Sequence, residues 1–298
     1  MTLQFNKIKG NTYFIDAPTN IGVYVFKNKT CLLIDTGIDN TQAGKIDEVL
    51  KAQGLHPRYI INTHSHADHC GGNSYFKKNY PGCAVYAPGI EKLFLENPDL
   101  HNTIIFSASP LKQLGKTSKN SGVDFDLEYG TMRLDEKKLE ILALPGHTPG
   151  QIGIITPENV CFSGDAMFGE AIMGKYSLPN LFDIKASLTT LNHIKELEAD
   201  FFVISHIDRV ITREEAVKLA DANLANIAMY EEQILELLEQ PLTREDLLEN
   251  IAVLNDLPLD FQEYHLAFST ISAFIKYLYE HQLITYSLEN GRLYYFKA

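Results

Sequence analysis

A chain of 298 residues with 45% hydrophobic content can bury one large domain plus a small appendage. Its net charge of −12 repels phosphate backbones, which disfavours nucleic acid as a partner. No apolar run approaches the roughly 18 residues of a membrane span and the first eight residues are too polar for a secretion signal, so no membrane association and a cytoplasmic location are expected.

The first half alternates short β-rich runs with turns. Tyr13-Phe-Ile, Val23-Tyr-Val-Phe and Cys31-Leu-Leu-Ile are separated by Asn, Gly and Lys clusters and predict strands. Gln42 to Gln53 carries Ile46, Val49 and Leu50 at helical spacing. Tyr59-Ile-Ile-Asn is a brief strand leading into Thr63-His-Ser-His-Ala-Asp-His, and a helix is expected over 71–79. Residues 88–124 fit neither period, so they are expected to form an irregular insert with no assigned chemistry. Further strands are predicted over 139–144, 151–156, 160–163 and 201–205, with a helix over 184–197.

The last third changes character. Thr212-Arg-Glu-Glu215 is a capping box that opens a long helix to about Glu239. Helices from Thr243 and over 267–282 follow, and Asn290-Gly291 between β-rich runs predicts a hairpin. Two or three helices and a hairpin resemble a winged helix, so the expected division is a catalytic domain over 1–210 and a helical, winged-helix-like domain over 211–298. From Pro241 onward four Lys/Arg face eight Asp/Glu. Nucleic-acid modules present a basic face. A piece that covers the core, or pairs two copies as a homodimer, is therefore preferred there.

His64-Ser-His66-Ala-Asp68-His69 places four metal-capable side chains within six residues. Neutral imidazole and carboxylate oxygen are good ligands for zinc and similar cations. On a loop leaving a strand, His64 and His66 can converge on one ion while Asp68 and His69 turn towards a neighbour. Three more candidates follow predicted strands: His147 in Leu-Pro-Gly-His-Thr-Pro-Gly, Asp165 in Phe-Ser-Gly-Asp and His206 in Val-Ile-Ser-His. A lone His or Asp at a strand end usually caps a turn, but seven such residues from four strand ends point to a metal site. The four cysteines, Cys31, Cys70, Cys83 and Cys161, include no CxxC pair and suggest no disulfide framework; Cys70, beside His69, is expected to be a packing residue.

The His-x-His-x-Asp-His signature and the later His147, Asp165 and His206 loops resemble the metallo-β-lactamase superfamily, as does Leu33-Ile-Asp35-Thr-Gly37. The resemblance spans about residues 12–210. It implies an α/β (α+β) fold, a four-layer αββα sandwich with the site at one edge. It also implies that His64, His66 and His147 hold one metal, that Asp68, His69 and His206 hold a second, and that Asp165 bridges them. Asp35 would orient a ligand from behind. One departure is that Ile207-Asp208 follows the last histidine where relatives usually have glycine.

Two divalent cations sharing a water would lower its pKa towards neutrality, with Asp68 orienting the water and passing its proton to the leaving group. Zinc is the expected metal, with iron and manganese compatible with the same N/O ligands. An aspartate at 165 resembles the glyoxalase II, lactonase, nuclease and persulfide dioxygenase branches rather than the β-lactamases. The expected activity is hydrolysis of a small acyl ester or thioester. A ribonuclease or phosphodiesterase and a mononuclear iron persulfide dioxygenase are the alternatives. No glutathione-recognition segment is recognisable near the C-terminus. Lys175 and Tyr176, in the 168–182 loop, are candidate substrate contacts, a solvated loop being the preferred reading there, so no substrate-binding residue is assigned.

Overall fold

A computed structural model describes residues 3–114 and 118–298. One sheet has seven strands in spatial order: β1 (Gln4–Lys9), β2 (Thr12–Asp16), β3 (Ile21–Val25), β4 (Thr30–Ile34), β5 (His56–Ile61), β6 (Ala84–Ala87) and β7 (Phe125–Asp126). Strands β1 to β4 pair antiparallel, and β4 to β7 pair parallel. Parallel neighbours need crossovers. These are α1 (Asn40–Ala52), then α2 (Ala67–Cys70) with α3 (Asn73–Asn79), then α4 (Gly89–Glu96) with α5 (Asp99–Phe106).

The second sheet contains β8 (Gly130–Leu134), β9 (Lys137–Ala143), β10 (Ile152–Ile155), β11 (Val160–Phe162), β12 (Phe201–Val203) and β13 (Ile211–Thr212), in the order 13-12-11-10-9-8. Strands β11 and β12 are parallel, joined through α6 (Glu170–Tyr176) and α7 (Ile184–Glu196). A helical extension follows: α8 (Arg213–Leu237), α9 (Arg244–Leu254) and α10 (Phe261–Glu280), closed by the hairpin β14 (Ile284–Glu289) and β15 (Arg292–Lys297). No helix among the described residues is long and apolar enough to cross a membrane.

Strand alternation builds the layers. Tyr24, Leu32 and Ile34 point between the sheets, where they meet Ile141, Ile154 and Phe162. Their neighbours Val23, Cys31 and Leu33 point outward onto Ile46, Leu50 and Phe76 of α1 and α3. Burying each such aliphatic side chain stabilises the fold by about 1.5–3 kcal/mol. On the far side, Cys161 and Phe202 join Ile184, Leu191 and Ile194 of α7 and Ile227 and Ile234 of α8 in one apolar cluster, which also takes in Phe274 of α10. Two sheets face to face with helices outside are the αββα sandwich expected from the sequence.

Local signals placed several elements correctly. The Thr212 hydroxyl accepts from the Glu215 amide and the Glu215 carboxylate accepts from the Thr212 amide, completing the capping box of α8. Asn290 and Gly291 both have positive φ, as the tight hairpin turn requires. Three expectations are corrected. Residues 88–124 are not irregular: they contain α4, α5 and a 3-10 turn at Lys112–Leu114, too short to show a clear apolar period, while 115–117 lie outside the described residues. The helix expected over 71–79 starts at Asn73, because Gly71 and Gly72 form a close crossing first. Helix α10 begins at Phe261, two turns before the expected 267, capped by the Asp260 side chain.

The close crossing at Gly71 brings α2 against the loop after β4. The Thr36 amide donates to the His69 carbonyl (2.7 Å) and the Gly72 amide to the Gly37 carbonyl (3.1 Å). A Cβ on Gly71 would stand 1.9 Å from the Ile38 carbonyl oxygen, so backbone must move. Gly71→Ala is expected to cost about 3 kcal/mol or more in denaturant unfolding. A loss below 1 kcal/mol would show that this crossing has slack.

Candidate metal centre

Each candidate side chain leaves the end of a strand at the same edge of the sandwich: Asp35 after β4, the 64–69 loop after β5, His147 after β9, Asp165 after β11 and His206 after β12. Parallel pairing of β4 with β5 and of β11 with β12 puts those ends side by side. All seven predicted ligands come together.

In the first group, His66 Nδ1 lies 3.0 Å from His64 Nε2 and 2.9 Å from His147 Nε2. The partners on the other side of each ring determine where its proton sits. Thr63 Oγ1 donates to Asp35 Oδ2 (2.8 Å), so it accepts from His64 Nδ1 (3.1 Å). His147 Nδ1 donates to the Asn180 carbonyl (2.7 Å). Both Nε2 atoms therefore present bare lone pairs towards His66 Nδ1. Burial, and then the neighbouring imidazoles, hold His64 and His66 well below the usual histidine range. Three imidazole nitrogens facing one point suit a cation.

The second group is richer in charge. His69 Nδ1 donates to Asp35 Oδ2 (2.7 Å), an arrangement that aims Nε2 inward. His69 Nε2 sits 3.4 Å from both Asp68 Oδ2 and Asp165 Oδ1. His206 Nδ1 donates to the Pro18 carbonyl (3.0 Å), leaving its Nε2 3.4 Å from Asp68 Oδ2 and 3.3 Å from Asp165 Oδ2. Asp165 also stands 3.6 Å from His147 Nε2, so its carboxylate spans both groups. Among the described residues, His69 Nε2 and Asp165 Oδ1 are buried polar atoms with no hydrogen bond of normal geometry. Such orphaned donors and acceptors cost free energy unless something else engages them.

Electrostatics point the same way. Burial opposes the charge on His69, but Asp68, Asp165 and Asp35 outweigh it and raise its pKa well above normal. Burial likewise opposes protonation of His206, and Asp165 beside it lifts its pKa to about 9. Without a metal, protons on these two rings balance the carboxylates. The ligand sets His64/His66/His147, His64/His69/Asp165 and Asp68/His69/His206 each fit a divalent cation. The chain supplies the donor chemistry such ions need.

Several contributors were missed in the sequence. Thr19 Oγ1 donates to Asp68 Oδ2 (3.0 Å). Asn20 donates from its side chain to the Ile204 and Ile207 carbonyls and from its amide to the Ser205 carbonyl, anchoring the His206 loop although Ile207 replaces glycine. Glu91 of α4 is fully buried and links two ligand loops. It accepts from the Ser65 amide (2.9 Å) and hydroxyl on one side, and from Thr148 Oγ1 (2.7 Å) and the Gly150 amide (2.9 Å) on the other. His101 of α5 donates to Ser65 Oγ (3.0 Å), stacks on Phe94 at 4.4 Å and flanks His66. Buried polar residues on short helices carry no local signal. Only the turn-forming Thr19-Asn20 pair offered a hint.

Other candidates stand differently. Cys70 is buried, and burial pushes its thiol up to about 12, so it is no nucleophile. Lys175 of α6 is exposed and its charge acts on Glu263 of the cavity wall, and the side chain of Tyr176 lies outside the described residues.

The architecture and the cluster define a class: a two-sheet sandwich with helices outside and a histidine–carboxylate centre at one edge. Residues 15–206 match the family model for the metallo-beta-lactamase superfamily. The chain belongs to that superfamily. It is 31% identical over 147 residues to a protein named hydroxyacylglutathione hydrolase from Blochmanniella pennsylvanica, covering 49% of this chain and 45% of that one. It is 28% identical to hydroxyacylglutathione hydrolase GloC from Haemophilus influenzae, covering 55% and 76%. The chain thus spans about half the length of the first curated relatives it matches. The crystal structure of a metallo-beta-lactamase family protein from Thermus thermophilus superposes with a TM-score of 0.74 at 20% identity. That match covers 100% of this chain and 99% of the other, extending the shared fold through the helical extension.

Proposed function

We propose that this protein is a binuclear metal-dependent hydrolase of small acyl esters or thioesters, with zinc as the resident metal. The observation that carries the proposal is the spacing of the two ligand groups around one carboxylate, Asp165. His64, His66 and His147 would hold one cation, Asp68, His69 and His206 the other, and Asp165 both. When bound, the cations supply carbonyl polarisation and a lowered pKa for the attacking water.

The chain's own groups do the rest. Thr19 Oγ1 fixes Asp68 while leaving it part-exposed to the cavity. The Asp68 carboxylate can then take the proton of the attacking water and hand it to the departing oxygen or sulfur as the acyl C–O or C–S bond breaks. Asp35, Asn180 and Pro18 hold His69, His147 and His206 in the tautomers that keep Nε2 free.

Removing metal with a chelator and restoring Zn²⁺ at about 100 times its Kd should raise stability by about 2.7 kcal/mol. For a chain of this length that is a rise in Tm of about 4 °C, read by thermal unfolding. An unchanged Tm, with no zinc bound by elemental analysis, would remove the metal from the account. The activity itself is tested on zinc-loaded protein with a panel of acyl thioesters and esters beside single-stranded RNA and a persulfide under oxygen monitoring. Thioester or ester turnover that Asp68→Ala abolishes supports the proposal. RNA cleavage or oxygen uptake without acyl hydrolysis would overturn it.

A further inference from the structure

The centre opens into a cavity of about 1060 Å³ whose far walls come from segments remote in sequence. Ile105 and Leu114 come from the 88–124 segment, Phe168 and Leu178 from the 168–182 segment, and Leu259 and Leu266 from the helical extension. Phe106 of α5 meets His265 of α10 edge to face at 5.5 Å, joining the two sides. His66, Asp68, His147, Asp165 and His206 line the near end of the same space.

Charge weighs against one substrate class. Among the described residues lining the cavity, Lys119 is the single lysine or arginine, against the acids Asp39 and Glu263 outside the centre. A glutathione thioester brings two carboxylates; among the described lining residues one lysine stands beside two acids, with Lys175 of α6 acting on Glu263, so the wall offers them little cationic complement. An uncharged hydrocarbon, by contrast, finds apolar side chains from three segments. Pockets of this volume take drug-sized ligands and bury most of their surface.

We propose that the substrate carries a medium-length acyl chain, about six to ten carbons, and that this chain lies in the apolar arm between α5 and α10 while its carbonyl faces the centre. The proposal rests on the hydrolase reading for the reaction and on the arm's own walls for the chain. In the arm, Ile105 of α5 and Leu259, just before α10, both line the wall as the slot the chain would enter, and chain length sets how much of it is filled.

The experiment uses zinc-loaded full-length protein and N-acetylcysteamine thioesters from acetyl to decanoyl, with S-lactoylglutathione alongside. kcat/KM should climb about two- to fourfold per methylene up to about eight carbons. Octanoyl thioester should exceed S-lactoylglutathione at least tenfold. Ile105→Trp, which fills the slot, should pull the octanoyl-to-acetyl ratio towards one, and Leu259→Glu should do the same by charge, so a folding failure in one variant leaves the other.

A second readout needs no turnover. The neutral fluorophore N-phenyl-1-naphthylamine should brighten on binding, be displaced by decanol, and lose its site in both variants. Hydrolysis with no dependence on chain length, or preference for S-lactoylglutathione, overturns the proposal while leaving the hydrolase reading intact. Probe binding that the variants abolish, without hydrolysis of any thioester, supports the arm and counts against the hydrolase reading instead. Probe binding unaffected by either variant overturns the arm.

Discussion

Asp165→Asn is expected to lower kcat/KM on any acyl substrate by at least about a thousandfold and to reduce bound zinc from two ions towards one. The carboxylate lies 3.3 Å from His206 Nε2, 3.4 Å from His69 Nε2 and 3.6 Å from His147 Nε2. Among the described residues no other acid touches both groups. Burial opposes its ionisation, yet His69 and His206 hold its pKa well below the normal range, so it is charged across the working pH. Asparagine is nearly isosteric but neutral, and it places an amide NH₂ where a ligand oxygen belongs. Lewis-acid assistance is worth several kcal/mol and each 1.36 kcal/mol is tenfold in rate. Elemental analysis of the variant beside steady-state kinetics checks both parts. Two retained ions with kcat/KM within tenfold would mean that the carboxylate does not bridge.

Glu91→Ala should be nearly as damaging from outside the centre. Truncation removes an acceptor shared by two buried backbone amides, on Ser65 and Gly150, and by two hydroxyls. Leaving a buried donor without a partner costs about 1–3 kcal/mol each, so about 3–5 kcal/mol of folding stability should go. The loops it joins carry His64, His66 and His147, and loosening such support weakens metal affinity by about 10- to 100-fold. Glu91→Gln keeps one acceptor oxygen and should fall between alanine and wild type. Denaturant unfolding, with zinc competition against a chromophoric chelator, reads both effects. If Glu91→Ala kept wild-type zinc affinity with only a stability loss, Glu91 would be a core residue and nothing more.

The predicted ligands were legible because their signals are local. His64-x-His66-x-Asp68-His69 is contiguous, and His147, Asp165 and His206 each follow an apolar strand directly, so spacing alone marked them. Capping and turn chemistry at Thr212 and Asn290-Gly291 is local too, and it placed α8 and the hairpin correctly. Helices α4 and α5 were not legible. Each has eight residues, barely two turns, and α5 buries none of its side chains fully, so no apolar period stands out. Glu91 reads in sequence as one more solvated acid on a helix. Its burial follows only from the packing of α4 against the two ligand loops.

In the sequence, the donor types at strand ends gave away the chemistry of the centre, while the layered sandwich was implied only by the resemblance those motifs carry. Tertiary structure alone decided which protons those donors keep. Asn180, Pro18 and Asp35 come from other segments and fix the tautomers of His147, His206 and His69, and Asp35 also takes the Thr63 hydroxyl proton, which sets His64. It also decided the shape of the cavity, because α5 and α10 lie more than 150 positions apart in the chain and meet only when both pack at the mouth of the centre. Hydrogen-bond partners and cavity walls are set by distance in space, and local periodicity records only neighbours along the chain.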